Sequence, residues 1–206
     1  MSVLRLTSFA ALVSVATLTF TTCALAQPPS GAARPAEPDI EGIPKAPTAV
    51  ALPTLSAPVT GPGPMFDSAP SQMKGLDPSH FRYRTTEYFV SGTADGKPYT
   101  TRVVVRQPVE DAKFSGLALA ESMHVSGAAH AFEFTAAYLM SSGHAAVEIL
   151  TTSPDQFTAL NAKRYEALSI TDGQQNEIIA QVGALVKSDR GPLGKLQVRK
   201  MVMAGT

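Results

Sequence analysis

With 206 residues, 44% of them hydrophobic, the chain is long enough for one ordinary domain. Lysine plus arginine equal aspartate plus glutamate at 17 each, so the charge balance offers no basic face for nucleic acid or an anionic membrane and points to a neutral partner or none. The one cysteine, Cys23, excludes a disulfide framework and a thiolate metal site.

Residues 1–26 read as an export signal. Arg5 provides the positive start, Phe9 to Phe20 a short apolar core, and Ala24-Leu25-Ala26 the small-x-small pattern cleaved before Gln27. The apolar run is shorter than the roughly 20 residues of a bilayer span, and Phe20-Thr21-Thr22-Cys23 is a poor lipidation signal. A periplasmic or secreted location follows, with no membrane contact after cleavage. Residues 27–78 hold 12 of the 16 prolines and predict an extended, largely disordered linker, with Ala49 to Leu52 and Leu55 to Thr60 as candidates for an edge strand.

The domain proper is expected over 79–206. Phe81 to Gly92 and Tyr99 to Gln107 alternate as strands around the Asp95-Gly96 turn pair, which predicts an antiparallel hairpin. Arg102, Val104 and Arg106 share one face of its second strand, opposite Thr101, Val103 and Val105; this spacing predicts a half-solvated, peripheral pair with the arginines facing water. Gly116 to Ala120 reads as a buried strand with a loop, Glu121 to Gly127, at its carboxyl end. A helix follows over Ala129 to Ser142, with Phe132, Ala136, Leu139 and Met140 on one side and Gly143 as its stop.

Ala145 to Leu150 is the next buried strand, and Ser153-Pro154-Asp155-Gln156 reads as a capping box opening a short helix that ends near Asn161. A stronger helix begins after Thr171-Asp172-Gly173-Gln174, with Ile178, Ile179, Val182, Leu185 and Val186 as its stripe. The last twelve residues, Lys195 to Thr206, alternate and then turn wholly apolar at Met201 to Ala204 before Gly205-Thr206. Alternating strands and helices imply an α/β fold with a parallel sheet, an antiparallel hairpin at its edge, and a mouth formed by Glu121 to Gly127, Thr151 to Ser153 and Gly205-Thr206.

A fully apolar strand ending in Gly205-Thr206 matches the first two positions of a G-x-S-x-G nucleophile elbow, whose serine would come next. The ordered run Glu87 to Ala94, Tyr99 to Pro108, Phe114-Ser115-Gly116, Glu121, Val125-Ser126-Gly127, Arg164-Tyr165, Leu168 and Gly205-Thr206 resembles an exported bacterial "α/β hydrolase domain" family, from Val59 onward. Two positions depart from that pattern. Ser115 stands where the family has asparagine, and Glu121-Ser122-Met123-His124 stands where it has Glu-Trp-x-Asn. The resemblance implies an incomplete α/β-hydrolase-like sheet, the front portion of a serine esterase-like acyl hydrolase.

Acyl transfer by serine needs the nucleophile, a histidine base, an acid and backbone N–H donors for the oxyanion. In the hydrolase order the acid and histidine follow the serine, so His80, His124, His130 and His144 all come too early, and no residue of this chain is assigned as catalytic. The oxyanion contribution is expected from the backbone of Met123, His124 or Val125, and Glu121, within an apolar strand, as a carboxylate supporting that loop. His130, His144 and Glu148 lack a metal-ligand spacing, so neither metal nor cofactor is expected. The 206-residue chain is therefore expected to be a fragment without activity, taking a small ester or acyl substrate only in a longer form. The alternative is a complete non-enzymatic periplasmic binding or scaffolding module.

Overall fold

The computed structural model describes residues 49–67, Ala69 and residues 77–205. The export signal, residues 27–48 of the proline-rich stretch, and Thr206 lie outside the described residues. Strands β2 (Tyr83–Ala94) and β3 (Lys97–Pro108) form the expected hairpin, in register from Tyr83 opposite Pro108 to Ala94 opposite Lys97. Asp95 and Gly96, at φ 50° and 67°, make a two-residue turn whose left-handed backbone matches the twist of the strands. The short β1 (Thr54–Leu55) pairs with the outer edge of β2.

Beyond the hairpin come β4 (Leu117–Ser122), helix α1 (His130–Ser141) and β5 (Ala145–Ile149). Two short helices, α2 (Asp155–Leu160) and α3 (Ala162–Tyr165), lead to α4 (Gln175–Val186) and β6 (Lys200–Gly205). The six strands lie in the order β1-β2-β3-β5-β4-β6, with β4, β5 and β6 parallel and β3 antiparallel to β5. Helix α1 stops where the sequence predicts. Gly143 follows at φ 72°, and a Cβ there would sit 2.1 Å from the Lys113 carbonyl, so only glycine fits.

Alternation sorts the sheet into two faces. Val103, Val105, Ala118, Ala120, Val147 and Ile149 pack beneath Ile178, Val182 and Leu185 of α4. Leu119 and Ala146 look the other way, toward Phe132, Ala136, Leu139 and Met140 of α1. The four α1 residues named from spacing are the four it buries.

Three expectations are corrected. The closing strand is shorter than Lys195 to Thr206: β6 begins at Lys200, and the N–H groups of Arg199 and Lys200 both donate to the Gly116 carbonyl, at 2.8 and 3.0 Å. That strand lies at the sheet edge among the described residues, with Val202 and Met203 exposed. Residues 49–67 of the proline-rich stretch lie along the sheet, Thr54–Leu55 pairing with β2 beside the edge-strand candidates and Phe66 packing against Phe157, while most of the other side chains stay exposed.

The third correction concerns Arg102 and Arg106, which are each 1% exposed rather than solvated, because β3 is an interior strand and its second face is covered. Arg102 donates to Glu87, and Arg164 pairs with the same carboxylate at 2.7 Å. Arg106 pairs with Glu148 and Asp67, both at 2.6 Å. Three guanidinium groups thus meet three carboxylates, and they also fix the chain before β2. Arg164 donates to the carbonyls of Val59 and Gly63 at 2.8 and 2.7 Å, and Arg102 to that of Phe66. Residues 59–67 form a strap held through its backbone.

Removing one carboxylate of a buried ion pair leaves an uncompensated charge at a cost of about 3–5 kcal/mol. Glu87→Ala strands two arginines, so its urea unfolding midpoint should fall by an amount corresponding to at least that cost. Glu148 provides a pH test. Burial raises its carboxyl pKa above the ordinary 4.5, against the opposing pull of Arg106. Its contribution to stability is therefore fully present below about pH 4.5 and is lost as pH rises through the raised value. Glu148→Gln, which keeps an acceptor for Arg106, should lose less stability than the parent between pH 4.5 and neutrality in matched urea titrations.

Candidate active site

The chain leaves β4 to reach β5 on one side and comes back to place β6 on the other, so strand order reverses at β4. In open parallel sheets, ligands bind outside the carboxyl ends of the strands at such a reversal. The loop there is 123–129. Ser122 stands opposite Gly205 in the β4–β6 ladder, and its hydroxyl meets that of Thr151, just past β5, at 2.6 Å. The Thr152 hydroxyl beside it is buried with no hydrogen-bond partner among the described residues.

Glu121 lies behind this loop, 1% exposed. Its carboxylate accepts from Ala131 N–H at 2.7 Å and Phe132 N–H at 2.9 Å, two first-turn donors of α1 that have no intrahelical acceptor. A negative group at this position also complements the helix dipole. The side chain in the apolar strand is thus a helix cap reaching across from the sheet, which fixes where the loop ends.

The three candidate oxyanion donors separate by their bonding. Met123 N–H donates to Ile149 O at 2.8 Å and His124 N–H to Ala128 O at 2.9 Å, so both are committed inside the fold. No described group accepts from Val125 N–H, and Val125 is 65% exposed. The direction of this N–H is also fixed. It shares a planar peptide with the His124 carbonyl, which accepts from Gly127 N–H at 2.8 Å. Gly127 makes this turn at φ 78°, where a Cβ would meet Gln156 at 3.1 Å and Phe66 at 3.2 Å.

Sequence spacing gives Gln156 a different role and does not mark Phe66. Gln156 does not close a capping box, and α2 has no side-chain cap. Instead its Nε2 donates to the Val125 carbonyl at 2.8 Å, spanning 31 residues. Phe66 sits edge-on to Phe157, 5.0 Å between centroids, in a cluster with Met123, Leu150 and Tyr165. A signal for it was present: Phe66 is the one aromatic residue between Gln27 and Pro78. Arg102 runs beneath the loop, its Nη1 4.0 Å from Met123 Sδ.

The histidines divide between two ends of the domain. His124 Nδ1 lies 2.9 Å from Ser126 Oγ and accepts from Ser126 N–H at 3.2 Å, an exposed local turn. Its ring is 5.2 Å from that of His130, whose Nδ1 faces Glu133 at 3.1 Å. Ser115 Oγ and His144 Nδ1 are 2.6 Å apart, but at the amino ends of β4 and β5, away from the loop. The Ser115 hydroxyl there also accepts from Leu117 N–H, as a turn hydroxyl does. Among the described residues no group of three or more His, Cys, Asp or Glu side chains is placed to hold a metal ion. Thr206 lies outside the described residues, and Gly205 ends β6.

The parallel β4-β5-β6 unit thus carries α1 on one face and α4 on the other, with the Val125 N–H unpartnered among the described residues just after β4. Residues 53–206 match the family described as "Alpha/beta hydrolase domain", and the chain belongs to that family. No curated protein matches the chain. A solved structure similar to it is a cold-adapted esterase from an Arctic intertidal metagenomic library, 19% identical over 59% of this chain and 47% of that one, with a TM-score of 0.31. This chain thus spans about half of that esterase, and the likeness is too loose to carry any residue across.

The cap is open to direct measurement. Glu121→Gln replaces one charged acceptor with a donor that opposes an N–H, and should cost about 1.5–3 kcal/mol, as charge-assisted hydrogen bonds do. Faster amide exchange at Ala131 and Phe132, with little change at α4, is the expected signature.

Proposed function

We propose that this chain provides the oxyanion side of a serine-type acyl-hydrolase site acting on small esters or related acyl bonds. The observation that carries the reading is the Val125 N–H: unpartnered, exposed, at the strand-order reversal, and held in direction by the Gly127 to His124 hydrogen bond. When a nucleophile adds to an ester carbonyl, its oxygen becomes an anion. A donor already aimed at that position stabilises it without reorganisation, and one such donor is worth about 10²–10³ in kcat.

The nucleophile comes from outside the described residues in this reading. Ser115 is at the wrong end of the sheet, and Ser126 is bonded to a histidine that has no carboxylate on its ring among the described residues. Gly205, level with Ser122 in the ladder, is taken as the first residue of the nucleophile elbow, Thr206 as the second and a serine as the third. The base and acid follow it, so the 206-residue chain is an inactive portion of the enzyme. The signal-like residues 1–26 support export to the periplasm or beyond, and the balanced charge supports an uncharged small-molecule substrate rather than nucleic acid.

The test starts from the DNA following codon 206. A frame encoding Ser-x-Gly or Ser-x-Ser and then a helical pattern supports the reading. The 206-residue chain should leave 4-nitrophenyl butyrate at its buffer rate, whereas the extended protein hydrolyses it and loses that activity when the serine is replaced. In the extended protein Val125→Pro, which removes the N–H, should lower kcat by about 10²–10³ with KM little changed. Turnover by the 206-residue chain itself would overturn the proposal. A stop with no such frame would favour the non-enzymatic binding or scaffolding module.

A further inference from the structure

Beside the Val125 loop lies a half-open cavity of about 350 Å³, within the range of small-molecule pockets. Its walls are the end of the strap, Pro64 to Asp67, and the α2–α3 corner at Leu160, Asn161 and Tyr165. Its position relative to the loop follows from α2. Gln156, which holds the Val125 carbonyl, and Leu160 are four residues apart and so lie on one helix face, about one turn or 6 Å along the axis.

Most of the polar groups in these walls are already engaged within the protein. Asp67 pairs with Arg106 at 2.6 Å and also accepts from Ala69 N–H at 3.0 Å. Asn161 donates to Pro62 O at 2.9 Å and accepts from Arg164 N–H at 3.1 Å. The Tyr165 hydroxyl accepts from Phe66 N–H at 2.8 Å and donates to Glu87 at 3.1 Å. What faces the space unspent is apolar: Pro64, Met65, Phe66 and Leu160, the last 64% exposed. A polar ligand group would lose its water here and find most partners already taken, and an anion would also meet the Asp67 carboxylate, whereas an aliphatic chain loses only unfavourable hydration.

We infer that this cavity is the specificity pocket for an aliphatic chain of the ester, and that the strap is its wall; the inference rests on the acyl-hydrolase reading for the chain's role as part of a substrate. The reacting carbonyl lies at Val125 N–H and the hydrocarbon runs back along α2 toward Leu160. Residues from a proline-rich segment therefore select chain length. The clamps of Arg102, Arg164 and Arg106 on the strap make that wall rigid.

The test uses the 206-residue chain labelled with ¹³C at methionine methyls and ¹⁵N at amides, titrated with methyl hexanoate and with methyl acetate. The Met65 methyl should shift with both, saturating with methyl hexanoate at a concentration at least about tenfold lower, because four further methylenes enter the pocket. Leu160→Trp fills the rim at an exposed position and adds the chain's one tryptophan; it should abolish that difference, while Val109→Trp, at an exposed position outside the pocket, keeps it. No shift at Met65, equal saturation by the two esters, or an unchanged preference in Leu160→Trp would overturn the pocket. The Val125 amide reports separately on the oxyanion reading. A shift at Met65 without one at Val125 upholds the aliphatic pocket and sinks the oxyanion role, and the reverse pattern sinks the pocket alone.

Discussion

Everything at the mouth of this domain depends on one carboxylate. Glu87, buried in the middle of β2, is shared by Arg102 of the neighbouring strand and Arg164 of α3, while Tyr165 donates to it from the side. Taking these charges out of water is expensive, and the cost is recovered only when the remaining donors are also satisfied. The strap meets that need: its carbonyls at Val59, Gly63 and Phe66 take the N–H groups that Glu87 leaves over. The ionic cluster and the strap are therefore one structure, since neither is stable in the interior alone.

The two faces of the sheet divide the work. The face under α4 is mostly apolar and supplies cohesion. The other face carries Glu87, Arg102, Arg106, Glu121 and Glu148: Glu148 pairs with Arg106 of the neighbouring strand, and the other four reach the strap, α3 or the first turn of α1. Burial of a strand residue is usually read as packing, but here the polar members of a buried face set positions. The loop after β4 gains its geometry from below through Glu121, from the side through Gln156 and from within through Gly127.

The elements themselves were legible in the sequence because their causes are local. The Asp95-Gly96 turn, the α1 stripe with its Gly143 stop, and the apolar runs of β4 and β5 each depend on neighbours within a few residues. The arginines of β3 were not legible. An alternating strand with arginine on one face reads the same whether water or carboxylates face it, and the carboxylates that decide are Glu87, Glu148 and Asp67, tens of residues away. Gln156 misled for the opposite reason: a local role was available in the sequence, and a distant carbonyl took the side chain instead. The loop bearing Met123, His124 and Val125 could be located from the strand-loop-helix pattern, whereas the choice of Val125 required knowing which N–H groups the fold had already used.

The clamps on the strap also set an order of events. Val59, Gly63 and Phe66 meet partners on Arg164 and Tyr165 that lie 105, 101 and 99 residues further along the chain. The hairpin, by contrast, closes across two residues, and short closures form long before distant ones because less chain entropy is lost. During synthesis the strap emerges first; Glu87, Arg102 and Arg106 of the hairpin follow it, but its clamps on Arg164 and Tyr165 cannot close until α3 exists. An early-made segment is thus locked only by a late one, and the Val125 loop acquires its final surroundings when Phe66 of that strap settles against Gly127.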